Sequence, residues 1–153
     1  MEKLHYKISI DAPREKVWEV LWGDPSYTQW TTPFSPSSNV VNPETSMPET
    51  DWKKGSKILF TDGSGSGMVA KISDNIPNEY MSFTHLGEIK DGVEDLTSEK
   101  VKDWAGAKEN YRLKDLGGKT ELEVDVDTAA EYAEMFKGMW PKALDKVKEL
   151  SEH

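Results

Sequence analysis

The C-terminal part of the chain has a hydrophobic period that differs from that of the residues before it. From about Thr128 onward, apolar residues recur every three or four positions, as on one face of a helix. The stripe comprises Tyr132, Phe136, Met139, Trp140, Ala143, Leu144, Val147 and Leu150. Because proline lacks the N–H that a helix interior uses, Pro141 predicts a kink or two short segments there. One long apolar face must be covered, so the rest of the chain has to supply a surface for it.

Period-two alternation ahead of this helix indicates β-strands. Residues 4–10 alternate clearly, and 108–116 and 120–127 form a predicted hairpin around Gly117-Gly118. Residues 56–61, 68–73 and 79–88 are predicted as further strands, with turns at 62–67 and 74–78. The sequence therefore predicts several antiparallel strands that precede one long helix.

The remaining segments complete the predicted architecture. Asp11-Ala12-Pro13 ends the first strand, and a helix should follow, with Val17, Trp18, Val20 and Leu21 on its apolar side. We expect a short helix at 26–30, a loop at 31–51 with a short strand near Val40, and a charged loop at 87–106 that could act as a lid. Antiparallel strands with segregated helices predict an α+β fold, as a single domain over residues 1–153.

The charge and composition exclude several classes of partner. The formal net charge is −9, and arginine occurs only at positions 14 and 112, which argues against nucleic-acid binding. No apolar run is long enough to span a membrane, and the N-terminus lacks a signal-peptide core. The chain has no cysteine, which excludes disulfides and fits a reducing cytosol, so we expect a cytoplasmic protein.

Few residues suggest catalysis or metal binding. His85 shares a predicted strand face with Met81 and Phe83, so it is a candidate ligand anchor or general base, or else a satisfied core histidine. His5 falls on the polar side of the first strand. One inward histidine without cysteine predicts no metal site, and no cofactor or catalytic residue is predicted. Residues 63–67 spell Gly-Ser-Gly-Ser-Gly, but they lie between two strands, so a hairpin loop is expected rather than a nucleophile elbow.

Aromatic residues give the strongest functional signal. The chain contains six Trp, five Tyr and four Phe, together with six Met. Ligand sites are mostly apolar with a few placed polar groups, although a filled aromatic core is the alternative. The candidate ligand-binding residues are Trp18, Trp30, Phe60, Met68, Phe83, His85, Trp104, Tyr111, Leu122, Tyr132, Phe136 and Trp140.

Several motifs, in order, resemble the START-like (SRPBCC) superfamily. The Ala12-Pro13 step followed by the Val17-Trp18 pair resembles the family's opening strand and helix. Further matching motifs are Trp30, Gly55 with Ile58 and Phe60, residues 67–72, Ile76-Pro77, residues 80–83, residues 118–122 and Gly138-Met139-Trp140. The last of these is similar to the branch of heat-shock-protein ATPase activators. Pro141, directly after Trp140, departs from the family pattern.

The resemblance implies a helix-grip (Bet v 1-like) fold, in which a curved antiparallel sheet wraps around the C-terminal helix, with one or two short helices after the first strand. It implies a cavity for a hydrophobic or amphipathic small molecule, and it does not imply one activity. Our first hypothesis is therefore a small-molecule binding module. The second is a protein-interaction domain with a chaperone or other protein as partner. The third is a cyclase- or hydrolase-type enzyme with His85 as base.

Overall fold

The computed structural model of the chain describes residues 2–23, 26–30, 52–61, 67–102, 105–128 and 130–152. The expected strand near Val40 and most of the turn at 62–67 lie outside these ranges. In chain order the elements are β1 (Glu2–Ile10), α1 (Arg14–Trp22), α2 (Ser26–Trp30), β2 (Lys57–Thr61), β3 (Gly67–Ile76), β4 (Tyr80–Lys90), β5 (Val93–Asp95), α3 (Glu99–Lys102), β6 (Lys108–Asp115), β7 (Thr120–Thr128) and α4 (Ala130–Glu152). The predicted α+β helix-grip fold is confirmed.

The strands form one antiparallel sheet in the order β1-β7-β6-β4-β3-β2, with β5 paired to β4. The register places Ile8 opposite Leu122 and Leu122 opposite Leu113, so apolar side chains form continuous rows on one face. We call this face, which the helices cover, the inner face. Since side chains alternate along a strand, the charged residues of β1 and β7 fall on the outer face, except Glu2 at the start of β1. There Lys3 Nζ lies 2.9 Å from Asp127 Oδ1, and His5 pairs with Asp125.

Strand β3 is longer than predicted. It continues through Asp74 and Asn75 to Ile76, where the sequence had indicated a turn, and the chain reverses only at residues 77–79. The pairing with β4 shifts register between Ile72 and Asp74. At this irregularity Ser73 has no register partner in β4, and the alternation of inner and outer side chains is interrupted. The strand nevertheless continues to Ile76.

The segment predicted as a charged loop at 87–106 contains regular structure, so that expectation is wrong. Strand β4 continues to Lys90, which pairs with Val93 across a two-residue turn. Asp91 and Gly92 have φ values of 51° and 80°, the left-handed conformation that an Asp-Gly hairpin turn requires. After β5, Asp95 Oδ1 accepts the backbone N–H of Ser98 at 3.0 Å, which orders the entry into α3.

Helix α4 is continuous from Ala130 to Glu152 and includes Pro141. Of the outcomes expected at this proline, division into two segments is therefore wrong. Pro141 lies on the exposed side of the helix, as does Lys137, the residue whose carbonyl the missing N–H would have bonded. Water can satisfy that carbonyl there, which limits the cost of the proline. The buried face of the helix packs Trp140, Leu144 and Val147 against β1, α1 and α2.

Candidate functional site

An aromatic cluster fills the space between the inner face and the helices, with Trp22 of α1 at its centre. The Trp22 ring centroid lies 4.9 Å from that of Tyr111, 5.4 Å from that of Phe83 and 5.7 Å from that of Trp52. Most of these contacts are edge-to-face, the arrangement that aromatic quadrupoles favour. Trp30 contacts the same cluster and donates its Nε1–H to the carbonyl of Leu21 at 3.0 Å.

The structure brings many of the sequence-predicted site residues together. Five of them are buried around the inner face: Trp30, Phe83, Tyr111, Leu122 and Trp140. Trp18 and Phe136 are partly buried and pack against this core, while Met68 is half-buried near the start of β3. Trp104 lies outside the described residues, and so do the side chains of Phe60 and Tyr132.

A polar cluster formed by His85, Glu109 and Tyr111 lies on the mostly apolar inner face. His85 Nε2 lies 3.2 Å from Glu109 Oε1, and the Tyr111 hydroxyl donates to the other carboxylate oxygen of Glu109. The His85 and Glu109 side chains retain 13% and 21% exposure, so the cluster is not fully sealed from solvent. One carboxylate thus holds an imidazole and a phenol in fixed positions at the edge of the aromatic cluster.

Tyr6 provides a further buried polar group on this face. Its ring stacks on Trp140 with centroids 6.1 Å apart, and its hydroxyl has no hydrogen-bond partner among the described residues. Burial raises the pKa of the Tyr6 hydroxyl, because the phenolate would lose hydration, and the positive charge of Lys137 opposes this effect. Tyr6 therefore remains a neutral phenol.

Three members of the site were not predicted from the sequence: Trp22, Trp52 and Glu109. Trp22 lies four positions after Trp18, so the helical period could have placed it on the same side of α1. Glu109 lies two residues before Tyr111 in β6, so both side chains are on the inner face. A charged residue, however, does not contribute to a hydrophobic pattern in the sequence. Trp52 has a left-handed backbone with φ of 63°, and no sequence pattern indicates that position.

Two surface depressions lie away from the aromatic cluster. One, of about 450 Å³, is found where β4 begins and β6 ends, and the other, of about 370 Å³, lies beside Lys3, His5 and Lys108. Within the described ranges, no group of three His, Asp or Glu side chains is arranged to hold a metal ion. In the same ranges, no helix is long and apolar enough to cross a membrane.

The fold and the inner-face site can be compared with known proteins. The family model described as "Activator of Hsp90 ATPase homolog 1-like protein" matches residues 11–152. The chain belongs to this family. The resemblance to START-like proteins, and to their heat-shock ATPase activator branch, is thereby confirmed. No curated protein is significantly similar in sequence.

Solved structures with the same fold come from several bacteria. The Aha1 dimer from Colwellia psychrerythraea is 20% identical, with a TM-score of 0.67, over 99% of this chain and 97% of that one. Protein MLL2253 from Mesorhizobium loti is 14% identical with a TM-score of 0.67, covering 97% of this chain and 96% of its own. CalU16 from Micromonospora echinospora is 16% identical with a TM-score of 0.64, covering 97% and 75%. At such low identities these similarities establish the fold alone.

Proposed function

We propose that this member of the Aha1-like family binds a hydrophobic or amphipathic small molecule between the inner face of the sheet and α4. The observation that carries the proposal is the His85–Glu109–Tyr111 cluster beside an aromatic core. Small-molecule sites combine mostly apolar walls with a few fixed polar groups. The apolar part of the ligand would contact the Trp22 cluster, and its polar end would hydrogen-bond to Glu109 or His85.

Binding requires movement of the aromatic side chains. The described rings are in mutual contact, with centroids of Trp22, Phe83 and Tyr111 between 4.9 and 6.2 Å apart. A ligand must therefore separate part of this cluster or lie along its edge. Either arrangement changes the surroundings of Trp22 and Trp30, so tryptophan fluorescence should report binding directly.

The test is titration with a saturated fatty acid, a sterol and a flavonoid, followed by fluorescence and by ligand-observed NMR. At least one probe should bind saturably, and Tyr111→Phe or Glu109→Gln should weaken it at least about tenfold, since the first removes a placed hydroxyl and the second the charge of the carboxylate that holds the cluster. Ser82→Ala is the matched control. It removes a hydroxyl that donates to Asn110 at 2.5 Å across the same two strands, but on the outer face.

Native mass spectrometry of the purified protein extends the search to ligands outside this panel. Failure of all three probes, together with the absence of any co-purified small molecule, would contradict the proposal. Equal loss of binding in Ser82→Ala would also contradict it, because the effect would then reflect stability rather than contact. Urea unfolding of each variant separates these two explanations.

Family membership favours a second candidate, an interaction with an Hsp90-type chaperone. Stimulation of a chaperone's ATPase by the purified protein, in the absence of any small molecule, would support it. The lack of cysteine also fits action in a reducing cytoplasm, which we propose as the setting. Stimulation that survives Tyr111→Phe would separate this role from small-molecule binding.

A further inference from the structure

The only two arginines of the chain, Arg14 and Arg112, come together at one depression outside the inner-face site. Arg14 begins α1 and Arg112 lies in β6, so the sequence separates them widely and the fold unites them. The depression, of about 450 Å³, is at the end of the sheet where β4 begins and β7 starts. A volume of this size suits a small organic molecule.

The cations in this depression make few close contacts with carboxylates, although the register places Glu123 opposite Arg112 and Glu121 opposite Lys114. Arg112 makes neither an ion pair nor a side-chain hydrogen bond with the described part of the chain, and its guanidinium lies 5.2 Å from the ring centroid of Tyr80. Lys114, two residues further along the same strand face, likewise makes no ion pair with any described residue. Arg14 reaches Glu79 only at 3.4 Å.

The carboxylates that line the same depression each have internal contacts. Asp115 Oδ1 accepts the backbone N–H of Gly117 at 2.9 Å, and Glu79 faces Arg14. Glu123 lies 3.3 Å from His5 Nε2 and 3.8 Å from Lys7 Nζ, and Glu121 lies 4.0 Å from the same Lys7 atom. Each of these carboxylates thus has a partner within the protein, whereas the guanidinium of Arg112 and the ammonium of Lys114 have no hydrogen bond or ion pair with the described residues.

An apolar surface adjoins these donors. The Arg112 guanidinium lies over the Tyr80 ring, and Ile76, which also lines the depression, exposes 42% of its surface. A planar guanidinium held on an aromatic ring presents parallel N–H groups that match the two oxygens of a carboxylate or phosphate. The flat side of a ligand can then rest on Ile76 and Tyr80.

We propose that this depression is a binding site for a small organic oxyanion, a carboxylate or phosphate carried on a flat apolar body. Arg112 would hold the two oxygens, Lys114 would add charge, and Tyr80 with Ile76 would contact the apolar part. The site lies on the outer side of the sheet and is independent of ligand binding at the inner face.

Nuclear magnetic resonance of the arginine side chains tests this directly, because two arginines give only two Nε–H signals. We would titrate ¹⁵N-labelled protein with benzoate and with phenyl phosphate, and with acetate and inorganic phosphate to measure what the apolar body adds. The Arg112 signal should shift saturably with an aromatic probe, at a dissociation constant below about 1 mM, and acetate or inorganic phosphate should bind more weakly.

Arg112→Gln should weaken binding at least about tenfold, because it removes the positively charged guanidinium and its parallel N–H donors. Arg112→Lys should restore only part of it, since lysine keeps the charge without the planar pair of donors. Lys71→Gln is the matched control. It removes one positive charge from the exposed surface of β3, outside the depression, and binding should stay within about twofold of the wild type.

Three outcomes would overturn the proposal. The first is the absence of a saturable shift at Arg112 with either aromatic probe. The second is an equal loss of binding in Arg112→Gln and Lys71→Gln, which would indicate attraction by overall charge. The third is tighter binding of benzylammonium than of benzoate, which would mean that the negative charge of the four carboxylates makes the depression a site for cations.

Discussion

The effect of substituting a single residue in this protein depends on the atoms that surround it. Gly87 of β4 is an example, because the hairpin formed by β5 folds closely over it. A Cβ atom added at Gly87 would lie 2.1 Å from the carbonyl oxygen of Asp95 and 2.7 Å from Leu96 Cδ2. The Asp95 carbonyl belongs to the backbone of β5, so it cannot rotate away from the added atom as the end of a side chain can. A single methyl group at this position would therefore separate β5 from β4.

Gly87→Ala should lower the free energy of unfolding by about 1 to 3 kcal/mol, through overpacking. Gly138→Ala is the matched control in α4, where an added Cβ meets nothing within 4 Å. It should raise the free energy of unfolding by about 0.5 to 1 kcal/mol, because alanine favours a helix interior over glycine. Urea denaturation of both variants measures the two effects. Similar shifts of the same sign would contradict this packing account.

At the inner face, the residue scale also explains which site members the sequence could reveal. Trp30, Tyr111 and Trp140 are large and apolar, so composition and hydrophobic period are enough to indicate them. Glu109 could not be found in this way, since a carboxylate on a strand normally indicates the solvent side. Only the partners of Glu109, the hydroxyl of Tyr111 and the imidazole of His85, explain its position among apolar groups.

Among the elements, α4 shows how position decides the effect of a residue. Pro141 is typical of a helix break, yet α4 passes through it without ending. The buried apolar stripe of the helix stays packed on β1, α1 and α2, and this packing outweighs the loss of one backbone hydrogen bond. The proline therefore weakens the helix without dividing it.

Pro141→Ala should raise the free energy of unfolding by about 1 to 2 kcal/mol. A proline in a helix interior costs about 3 kcal/mol, this exposed position costs less, and the greater freedom of the unfolded chain offsets part of the gain. Urea denaturation followed by circular dichroism measures the change. Lys142→Ala, at the neighbouring exposed position, should change stability by less than about 0.5 kcal/mol. An equal or lower stability of Pro141→Ala would show that the ring makes a needed contact.

The segment from Gly87 to Gly106 shows the limits of sequence patterns for short elements. Its charge and lack of periodicity predicted a loop, whereas the structure contains β5 and α3. Elements of three or four residues are too short to show a period. The Asp91-Gly92 pair was the one local signal, and the close approach of β5 to Gly87 becomes evident only once both strands are in place.

For the whole molecule, one sheet and one long helix share a common core. Residues of β1, β6, β7, α1, α2 and α4 all contribute to the same buried cluster. A domain that shares one core loses most of its stabilising contacts when any large element leaves. We therefore predict that the chain unfolds as a single cooperative unit, as it should if residues 1–153 form the single domain that the sequence predicts.

The measurement is thermal unfolding followed by tryptophan fluorescence, far-ultraviolet circular dichroism and calorimetry. The two spectroscopic transitions should coincide, and the calorimetric enthalpy should equal the van't Hoff value, at roughly 100 kcal/mol for a chain of this length. Fluorescence reports the Trp22 cluster, while circular dichroism is dominated by α4. A fluorescence transition that precedes the loss of helix would show that the aromatic core opens separately.

The sequence by itself determined the order and type of the main elements and the family to which they belong. It did so because strand alternation, the Ala12-Pro13 step and the α4 stripe are local patterns that need no partner to be recognised. Only the tertiary structure decided which polar residues meet: Glu109 with His85 at the inner face, and Arg14 with Arg112 at the outer depression. Such pairs depend on strand register and on the packing of α1, which bring together residues that are distant in sequence.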